Sequence, residues 1–266
     1  MNRHDAAGYG EAHAAEYDLL YPPESFDTDA AVAALAALAQ SVPGDEPSIL
    51  EFGVGTGRLA LPLLARGVRV AGIEASDAMI KTLLAKPHGE EIAVVLGDFV
   101  RAEVEGVFSV VVLALNGITD PPTRDGQIAC FRNAARHLRA GGCFVVETAV
   151  LHRDELDGDW TVWPRIVAHE HVELQLSRYD IATSVLERTL VHLRPEGIRL
   201  VTVEDNYAWP GELDLMAGAA GLRLRSRHGG WQGERFDASS RRHVSIYERS
   251  EAGRTGSAPG RSREGS

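Results

Sequence analysis

The sequence predicts an α/β fold organised around a mostly parallel β-sheet, and three observations support this prediction. A short apolar strand, residues 49–52, leads through a glycine turn into an apolar helix, which is a frequent strand–turn–helix unit of such folds. Further short apolar runs alternate with helical segments up to residue 150. The run 107–114 is almost continuously apolar, as expected for a central parallel strand that is covered on both faces.

The elements of the first half follow in order from apolar spacing and from turn residues. Tyr21-Pro22-Pro23 ends the first predicted helix, Gly67 ends the third, and Ser76 caps the fourth, which stops before Pro87. The predicted helices cover residues 9–20, 26–41, 58–66, 77–86 and 124–138, and the predicted strands cover residues 49–52, 68–73, 92–96, 107–114 and 143–150.

The second half changes pattern after Asp154. Polar and apolar residues alternate, which is typical of antiparallel strands, and Arg194-Pro195-Glu196-Gly197 indicates a hairpin turn. We expect strands over 162–178, 183–193 and 198–207, a helix over 213–220, and two final strands over 222–228 and 243–247. The meander, about residues 155–209, is thus inserted into a single domain of residues 1–249, and residues 250–266 are predicted to be a disordered tail.

Composition narrows the class of protein. The chain has 266 residues, of which 44% are apolar, enough for a full globular core. A net charge of -11 argues against nonspecific binding to nucleic acid or to anionic membranes. Cys130 and Cys143 fall in segments predicted to be buried, and no cysteine or histidine spacing suggests a zinc site, so we expect no metal. Without a secretory leader or a membrane span, a cytoplasmic protein is expected.

The glycine turn has the pattern Glu51-x-Gly53-x-Gly55-x-Gly57. A dinucleotide fingerprint would need glycine three residues after Gly55, and that position is Arg58. Two further acids follow later strands: Glu74 ends the second strand at the interval expected for a ribose-binding carboxylate, and Asp98 follows the third.

This set of residues resembles the class I S-adenosylmethionine-dependent methyltransferases, over roughly residues 9–248. The resemblance implies a Rossmann-like seven-stranded, mostly parallel sheet with helices on both faces, a reversed last strand and an inserted antiparallel β lid. It implies S-adenosyl-L-methionine as cofactor, although many members have aspartate at the position of Glu51. The expected cofactor-binding residues are Tyr21, Glu51, Gly53, Gly55, Gly57, Arg58, Glu74, Ala75, Asp98, Phe99 and Leu115.

The segment Tyr17-Asp18-Leu19-Leu20-Tyr21 adds to this resemblance. Small-molecule methyltransferases that act on amino sugars and peptide termini often begin with Tyr-Asp-x-x-Tyr, where the segment caps the cofactor pocket. The alternative is that both tyrosines only pack at the domain edge.

Candidate catalytic and acceptor-binding residues lie at strand ends and in the lid half of the chain. The catalytic candidates are Tyr17, Asn116 and His152, and the substrate candidates are Tyr9, Glu147, Tyr207, Trp209 and Trp231. Each has a structural alternative: His152 as a solvated loop histidine, Asn116 as a turn residue, Glu147 as a satisfied buried carboxylate and the aromatics as packing.

The predicted activity is methyl transfer to a small organic or peptide-terminal acceptor. In-line displacement is helped by proximity and by a desolvated pocket. N-methylation is favoured over O-methylation of a natural-product intermediate, and a cofactor-binding protein that transfers no methyl group is a further alternative. The expected partner is the acceptor alone, with no nucleic acid and no membrane, and the expected state is a monomer or a homodimer.

Overall fold

A computed structural model describes residues 6–20, 22, 26–44, 46–156 and 159–249. The chain forms two β-sheets, a seven-stranded sheet A and a four-stranded sheet B. The helices are α1 (Ala6–His13), α2 (Tyr17–Leu20), α3 (Thr28–Ser41), α4 (Ala60–Leu64), α5 (Asp77–Leu84), α6 (Arg124–His137), α7 (Arg153–Leu156) and α8 (Pro210–Ala219). The strands are β1 (Ser48–Phe52), β2 (Arg69–Glu74), β3 (Ala93–Leu96), β4 (Phe108–Leu113), β5 (Leu138–Ala149), β6 (Thr161–Val167), β7 (Val172–Asp180), β8 (Val185–Arg194), β9 (Gly197–Asn206), β10 (Leu222–His228) and β11 (Arg242–Arg249).

Sheet A confirms the predicted fold class. Its strand order is β10-β11-β5-β4-β1-β2-β3, and the five strands from β5 to β3 run parallel. The last strand, β11, pairs antiparallel with both β5 and β10. The chain leaves β1 for β2 on one side and returns to β4 on the other, so the strand order reverses between β1 and β4. Ligands of open α/β sheets bind in the crevice at such a reversal.

The two central strands are buried along their full length. Every residue of β1 and of β4 is buried, because helices cover both faces of sheet A. On one face Phe131 packs edge-on against Phe144 and Tyr247, with ring centroids 5.2 and 5.3 Å apart. On the other face α3 places Val32 and Leu35 against β1 and β4. This rigid centre fixes the carboxyl ends of the strands.

Sheet B lies between β5 and α8 in the chain and has the order β6-β7-β8-β9, all antiparallel. The prediction of a single strand over 162–178 is wrong, because residues 168–171 form a turn and the segment folds back as β6 and β7. The backbone N–H of Ala168 donates to His171 O at 2.9 Å and closes that turn. Unbroken alternation hides a hairpin when the turn contains neither glycine nor proline.

Two predicted helix boundaries are also wrong. The segment 9–20 forms two helices, α1 and α2, because tertiary contacts hold each piece separately: Glu11 bonds to α5, and Asp18 bonds to the glycine turn. Leu138 begins β5 and does not end a helix. Gly142 allows this, since a Cβ there would lie 2.9–3.1 Å from neighbouring carbonyl oxygens, two of them on β4.

Residues 250–266, predicted to be a disordered tail, lie outside the described residues. The longest described helices, α3 and α6, have 14 residues each, and no helix in the described ranges is long and apolar enough to cross a bilayer.

Candidate active site

The glycine turn joins β1 to α4 at the strand-order reversal. The N–H groups of Gly53 and Val54 donate to Ile73 O at 2.8 and 3.1 Å, which ties the turn to β2. Gly53 and Gly55 have positive φ values of 68° and 55°, a conformation that favours glycine. A Cβ on either residue would meet no described atom within 4 Å, so the backbone of the turn faces open space.

Glu74 ends β2 beside this turn. One of its carboxylate oxygens accepts from Gly55 N–H at 2.8 Å, and the other accepts from Ser76 N–H at 2.9 Å. Ser76 in turn caps α5 by accepting from Met79 N–H. The Glu74 side chain therefore links the glycine turn to the start of α5 across the crevice.

Glu51 is an ionisable group inside β1. It is 4% exposed, and its Oε2 has no hydrogen-bond partner within the described part of the chain. Burial raises the pKa of Glu51 to about 8, an effect that the nearby Arg58 guanidinium partly offsets. Arg58 donates to Thr28 Oγ1 at 3.0 Å, so α3 holds it. An unsatisfied buried carboxylate oxygen is costly, so core packing alone does not account for Glu51.

The N-terminal helices close over the glycine turn. Asp18 accepts from Thr56 Oγ1 at 2.6 Å and pairs with Lys86 at 2.5 Å. Glu11 accepts from Ser76 Oγ at 3.0 Å and from Ala78 N–H at 3.1 Å. Tyr17 begins α2, directly before Asp18, and is half-buried. The side chain of Tyr9, and Tyr21 as a whole, lie outside the described residues.

Asp98 follows β3 at the same edge of sheet A. Its side chain is exposed and accepts from Val100 N–H at 2.8 Å. Phe99 is buried and stacks on Phe52 with ring centroids 5.8 Å apart. Ala75, next to Glu74, and Leu115, after β4, are both partly exposed. The acids predicted at the ends of three successive strands thus meet along one edge.

Asn116 and Glu147 have structural partners. Leu115 and Asn116 both adopt positive φ, and Asn116 Oδ1 accepts from Ala149 N–H at 2.6 Å. Glu147 accepts from Leu115 N–H at 3.2 Å and from Trp231 Nε1 at 2.8 Å. Trp231 is 7% exposed and belongs to the core beside β4 and β5, so the structure does not place it at an open acceptor mouth.

The remaining predicted acceptor residues form a buried aromatic junction. Tyr207 is 2% exposed and packs edge-on against Tyr179 and Trp209, with centroids 6.0 and 5.0 Å apart. Burial raises the pKa of the Tyr207 phenol to about 12, and its oxygen accepts from Leu151 N–H at 3.3 Å. His152, the next residue, has its Nε2 3.1 Å from Ser240 O. These residues join sheet B to sheet A.

Asp120 is a site residue that the sequence analysis missed. It follows the short 3₁₀ helix Gly117–Thr119 beyond β4. Its side chain is exposed to solvent. Desolvation by nearby protein atoms, together with the negative charges of Asp205, Glu74 and Asp98, raises the pKa of Asp120 to about 7, an effect that Arg188 partly offsets.

Asp205 stands beside Asp120 and comes from sheet B. It is 4% exposed, accepts from Thr119 Oγ1 at 3.0 Å and forms an ion pair with Arg188, whose Nη2 lies 2.7 Å from Asp205 Oδ1. The only available sequence signal was an acid at the end of a predicted lid strand, and such residues are common on solvated strands.

The fold and the site together define a class: a doubly wound α/β protein with an acid-lined crevice and a glycine turn at the strand-order reversal. A family model described as "Methyltransferase domain" matches residues 49–142, which span the turn, Glu74, Asp98 and Asp120.

Three similar proteins extend the match over most of the chain. The CcbJ methyltransferase from Streptomyces caelestis superimposes with a TM-score of 0.82 at 38% identity, covering 92% of this chain and 99% of that one. The cypemycin N-terminal methyltransferase of Streptomyces sp is 26% identical over 92% of this chain and 99% of its own length. The dTDP-4-amino-2,3,4,6-tetradeoxy-D-glucose N,N-dimethyltransferase of Saccharopolyspora spinosa is 30% identical over 67% of this chain and 69% of its own length.

The chain therefore belongs to the S-adenosylmethionine-dependent methyltransferases, and it is an enzyme of that family.

Proposed function

We propose that this enzyme N-methylates an amine on a small organic or peptide-terminal acceptor. The observation that carries the proposal is the concentration of acids at the carboxyl edge of sheet A, with Asp120 at the side where sheet B joins. An acidic crevice attracts a cationic cofactor and an ammonium acceptor. Two relatives whose names specify an N-terminal methyltransferase and an N,N-dimethyltransferase support the same acceptor chemistry.

We assign the cofactor to the glycine turn and the neighbouring acids. The open face of Gly53 and Gly55 leaves room for a ligand against the backbone, and the unpartnered oxygen of Glu51 suits an ammonium group. Glu74 would hold ribose hydroxyls, and Asp98 with Phe99 would bound the adenine. The residues present thus fit S-adenosylmethionine, which supplies an activated methyl group on a cationic sulfonium.

The other predicted cofactor contacts remain part of the proposal. Arg58 lowers the pKa of Glu51 and so partly offsets the effect of burial. Ala75 and Leu115 flank the crevice as apolar neighbours, and Tyr17 belongs to the segment that closes over it. We also propose Tyr21, which follows that segment in the sequence, as a cofactor contact.

We propose that Asp120 is the proton acceptor for the amine. An ammonium acceptor has no lone pair, so it must lose a proton before its nitrogen forms the bond to the methyl carbon. A carboxylate with a pKa near 7 is matched to that step at neutral pH. Arg188 and Thr119 hold the neighbouring Asp205 and keep its negative charge beside Asp120. Orientation of the two reactants supplies the larger part of the acceleration.

A matched pair of acceptors tests the proposal. The enzyme is incubated with S-adenosylmethionine and a panel of amines that includes peptides with a free or an acetylated N-terminus and amino sugars paired with their hydroxyl analogues. Mass spectrometry then detects added methyl groups. We expect methylation of free amines only. Methylation of the hydroxyl analogues, or of acetylated peptides at the same rate, would contradict N-methylation.

The remaining assignments concern partners and location. We propose a cytoplasmic enzyme without nucleic-acid or membrane partners, acting as a monomer or a homodimer. A net charge of -11 and two buried free cysteines, Cys130 and Cys143, support this assignment. We also propose that sheet B serves as the acceptor lid of a single domain, supported by the bond from Thr119 at the crevice to Asp205 in β9.

A further inference from the structure

A second cluster of polar side chains lies in sheet B, on β7 and β8. His171 directly precedes β7, and Glu173 follows two residues later, so both point to the same face of the sheet. Glu173 pairs in register with His192 of β8, which brings the imidazole of His192 to that face as well. A His-x-Glu sequence and a cross-strand histidine thus converge.

The distances within this cluster match a tetrahedral metal site. His192 Nδ1 lies 3.3 Å from His171 Nε2 and 3.3 Å from Glu173 Oε2. The donor atoms of all three residues lie within 4.8 Å of one another. Zinc binds nitrogen and oxygen ligands at about 2.0 Å, so two ligands on a tetrahedron are about 3.3 Å apart. Two of the separations already have that value.

Burial makes the cluster unusual. Glu173 is 0% exposed and His192 is 3% exposed. Neither carboxylate oxygen of Glu173, nor Nε2 of His192, forms a hydrogen bond within the described residues. Arg165 Nε lies 3.4 Å from Glu173 Oε1. The second carboxylate oxygen, Oε2, faces His192.

We propose that His171, Glu173 and His192 bind one divalent transition-metal ion of the Zn²⁺ class. Two imidazoles and one carboxylate are a ligand set that Zn²⁺ accepts, with the fourth position left for water or a further ligand. Of the three residues, His192 also lines a cavity of about 320 Å³, together with Arg194 and, from α1, His13 and Glu16.

The position of the cluster gives the ion a structural consequence. Arg194, two residues after His192, forms a two-pronged pair with Glu16, with N–O distances of 3.2 and 2.6 Å. Glu16 lies between α1 and α2, the helices that close over the glycine turn. A metal ion on β7 and β8 would stiffen the part of sheet B to which this N-terminal cap is attached.

Calorimetric titration of the full-length, chelator-treated protein with Zn²⁺ tests the proposal, and Co²⁺ absorption reports the geometry. We expect one ion per chain, a tetrahedral Co²⁺ spectrum, and a rise in Tm on metal addition. Glu173→Gln and His192→Ala should each weaken binding by at least about 100-fold, since a site with three protein ligands depends on each of them. Glu173→Gln preserves side-chain shape and serves as the variant that keeps the fold.

His169→Ala is the matched control. This histidine lies in the same β6–β7 turn but its side chain is 97% exposed, and it is not part of the cluster. Its removal should leave stoichiometry and affinity unchanged. The proposal is overturned if the unaltered protein binds no stoichiometric Zn²⁺, if the Co²⁺ spectrum is octahedral, or if folded Glu173→Gln binds as tightly as His169→Ala. None of these readouts depends on methyl transfer.

Discussion

Thr56 Oγ1 donates a 2.6 Å hydrogen bond to Asp18 Oδ1 and so joins the glycine turn to an N-terminal helix 38 residues earlier in the chain. Lys86 completes the contact, because its Nζ lies 2.7 Å from Thr56 O and 2.5 Å from Asp18 Oδ2. The residue between the second and third glycines of the motif therefore determines where the N-terminal cap lies. This contact thus joins the proposed cofactor site to the N-terminal helices.

Thr56→Val should weaken cofactor binding without unfolding the protein. The substitution keeps the side-chain shape and removes one hydrogen bond, worth about 1 kcal/mol, or about fivefold in affinity. Calorimetry with S-adenosylhomocysteine measures the effect. Thr82→Val is the control, since Thr82 donates only to Ala78 O within α5. Equal affinities of the two variants would show that the Asp18 contact does not support the site.

Substitutions at Gly55 and Gly57 should fail in different ways. A side chain at Gly55 projects into open space beside the turn, so Gly55→Val should abolish cofactor binding, with a loss of stability of about 1–3 kcal/mol from its positive φ. A Cβ at Gly57 would lie 2.4 Å from Leu83 Cδ1, so Gly57→Val should destabilise the fold further. Thermal unfolding and ligand titration separate the two effects, and tight cofactor binding by Gly55→Val would refute the assigned site.

Cofactor affinity should rise with pH up to about 8, by as much as about tenfold per pH unit. The pKa of Glu51 in the folded protein is raised to about 8, so its carboxyl is neutral at pH 7, and binding a cofactor ammonium requires its ionised form. Calorimetry in buffers of different ionisation enthalpy should detect the released proton. Glu51→Gln should bind more weakly and lose this proton release.

The raised pKa of Glu51 also predicts that the stability of the ligand-free protein falls with pH, whereas cofactor affinity rises. Between pH 4.5, the ordinary pKa of a glutamate, and about pH 8, the folded state holds a proton on Glu51 that the unfolded state has lost. The free energy of unfolding of the ligand-free protein should therefore fall as pH rises through this window. Glu51→Gln should flatten that part of the curve, and an unchanged slope in this variant would assign the pH dependence to other groups.

Asp120→Asn should lower kcat by about 100-fold while leaving S-adenosylhomocysteine affinity unchanged. The activity of the unaltered enzyme should rise with pH through about 7, as Asp120 loses its proton. The activity of the variant should not show this rise. Asp125→Asn is the control, because Asp125 is an exposed acid in the first turn of α6. A variant that keeps both rate and pH profile would exclude Asp120 as the proton acceptor.

The sequence predicted the parts of the site that depend on local chain geometry. The glycine turn and the acids Glu74 and Asp98 follow strands whose apolar runs are plain, and parallel strands bring their carboxyl ends to one edge. The roles of Asp18 and Asp205 could not be predicted, because each depends on a contact between elements distant in the chain. No local sequence pattern shows which acidic residue will make such a contact.

Residue type alone does not distinguish a role in the core from a role in the site. Glu147 and Trp231 lie near the crevice edge, but they bond to each other under the surface. The histidine cluster shows the reverse case: His192 lies 19 residues beyond Glu173, and only the antiparallel register of β7 and β8 brings them opposite each other. Linear metal-ligand spacing cannot reveal such a pair.

The attachment of sheet B has an evolutionary consequence. Sheet B meets the crevice through Asp205, Arg188 and Thr119 and through the aromatic junction at Tyr207, while the glycine turn and Glu74 belong wholly to sheet A. Mutations along the exposed parts of the four antiparallel strands can therefore accumulate without disturbing the glycine turn or Glu74. With sheet B as the proposed acceptor lid, we expect related enzymes to change their acceptor through substitutions in this one insertion while the methyl-transfer chemistry stays the same.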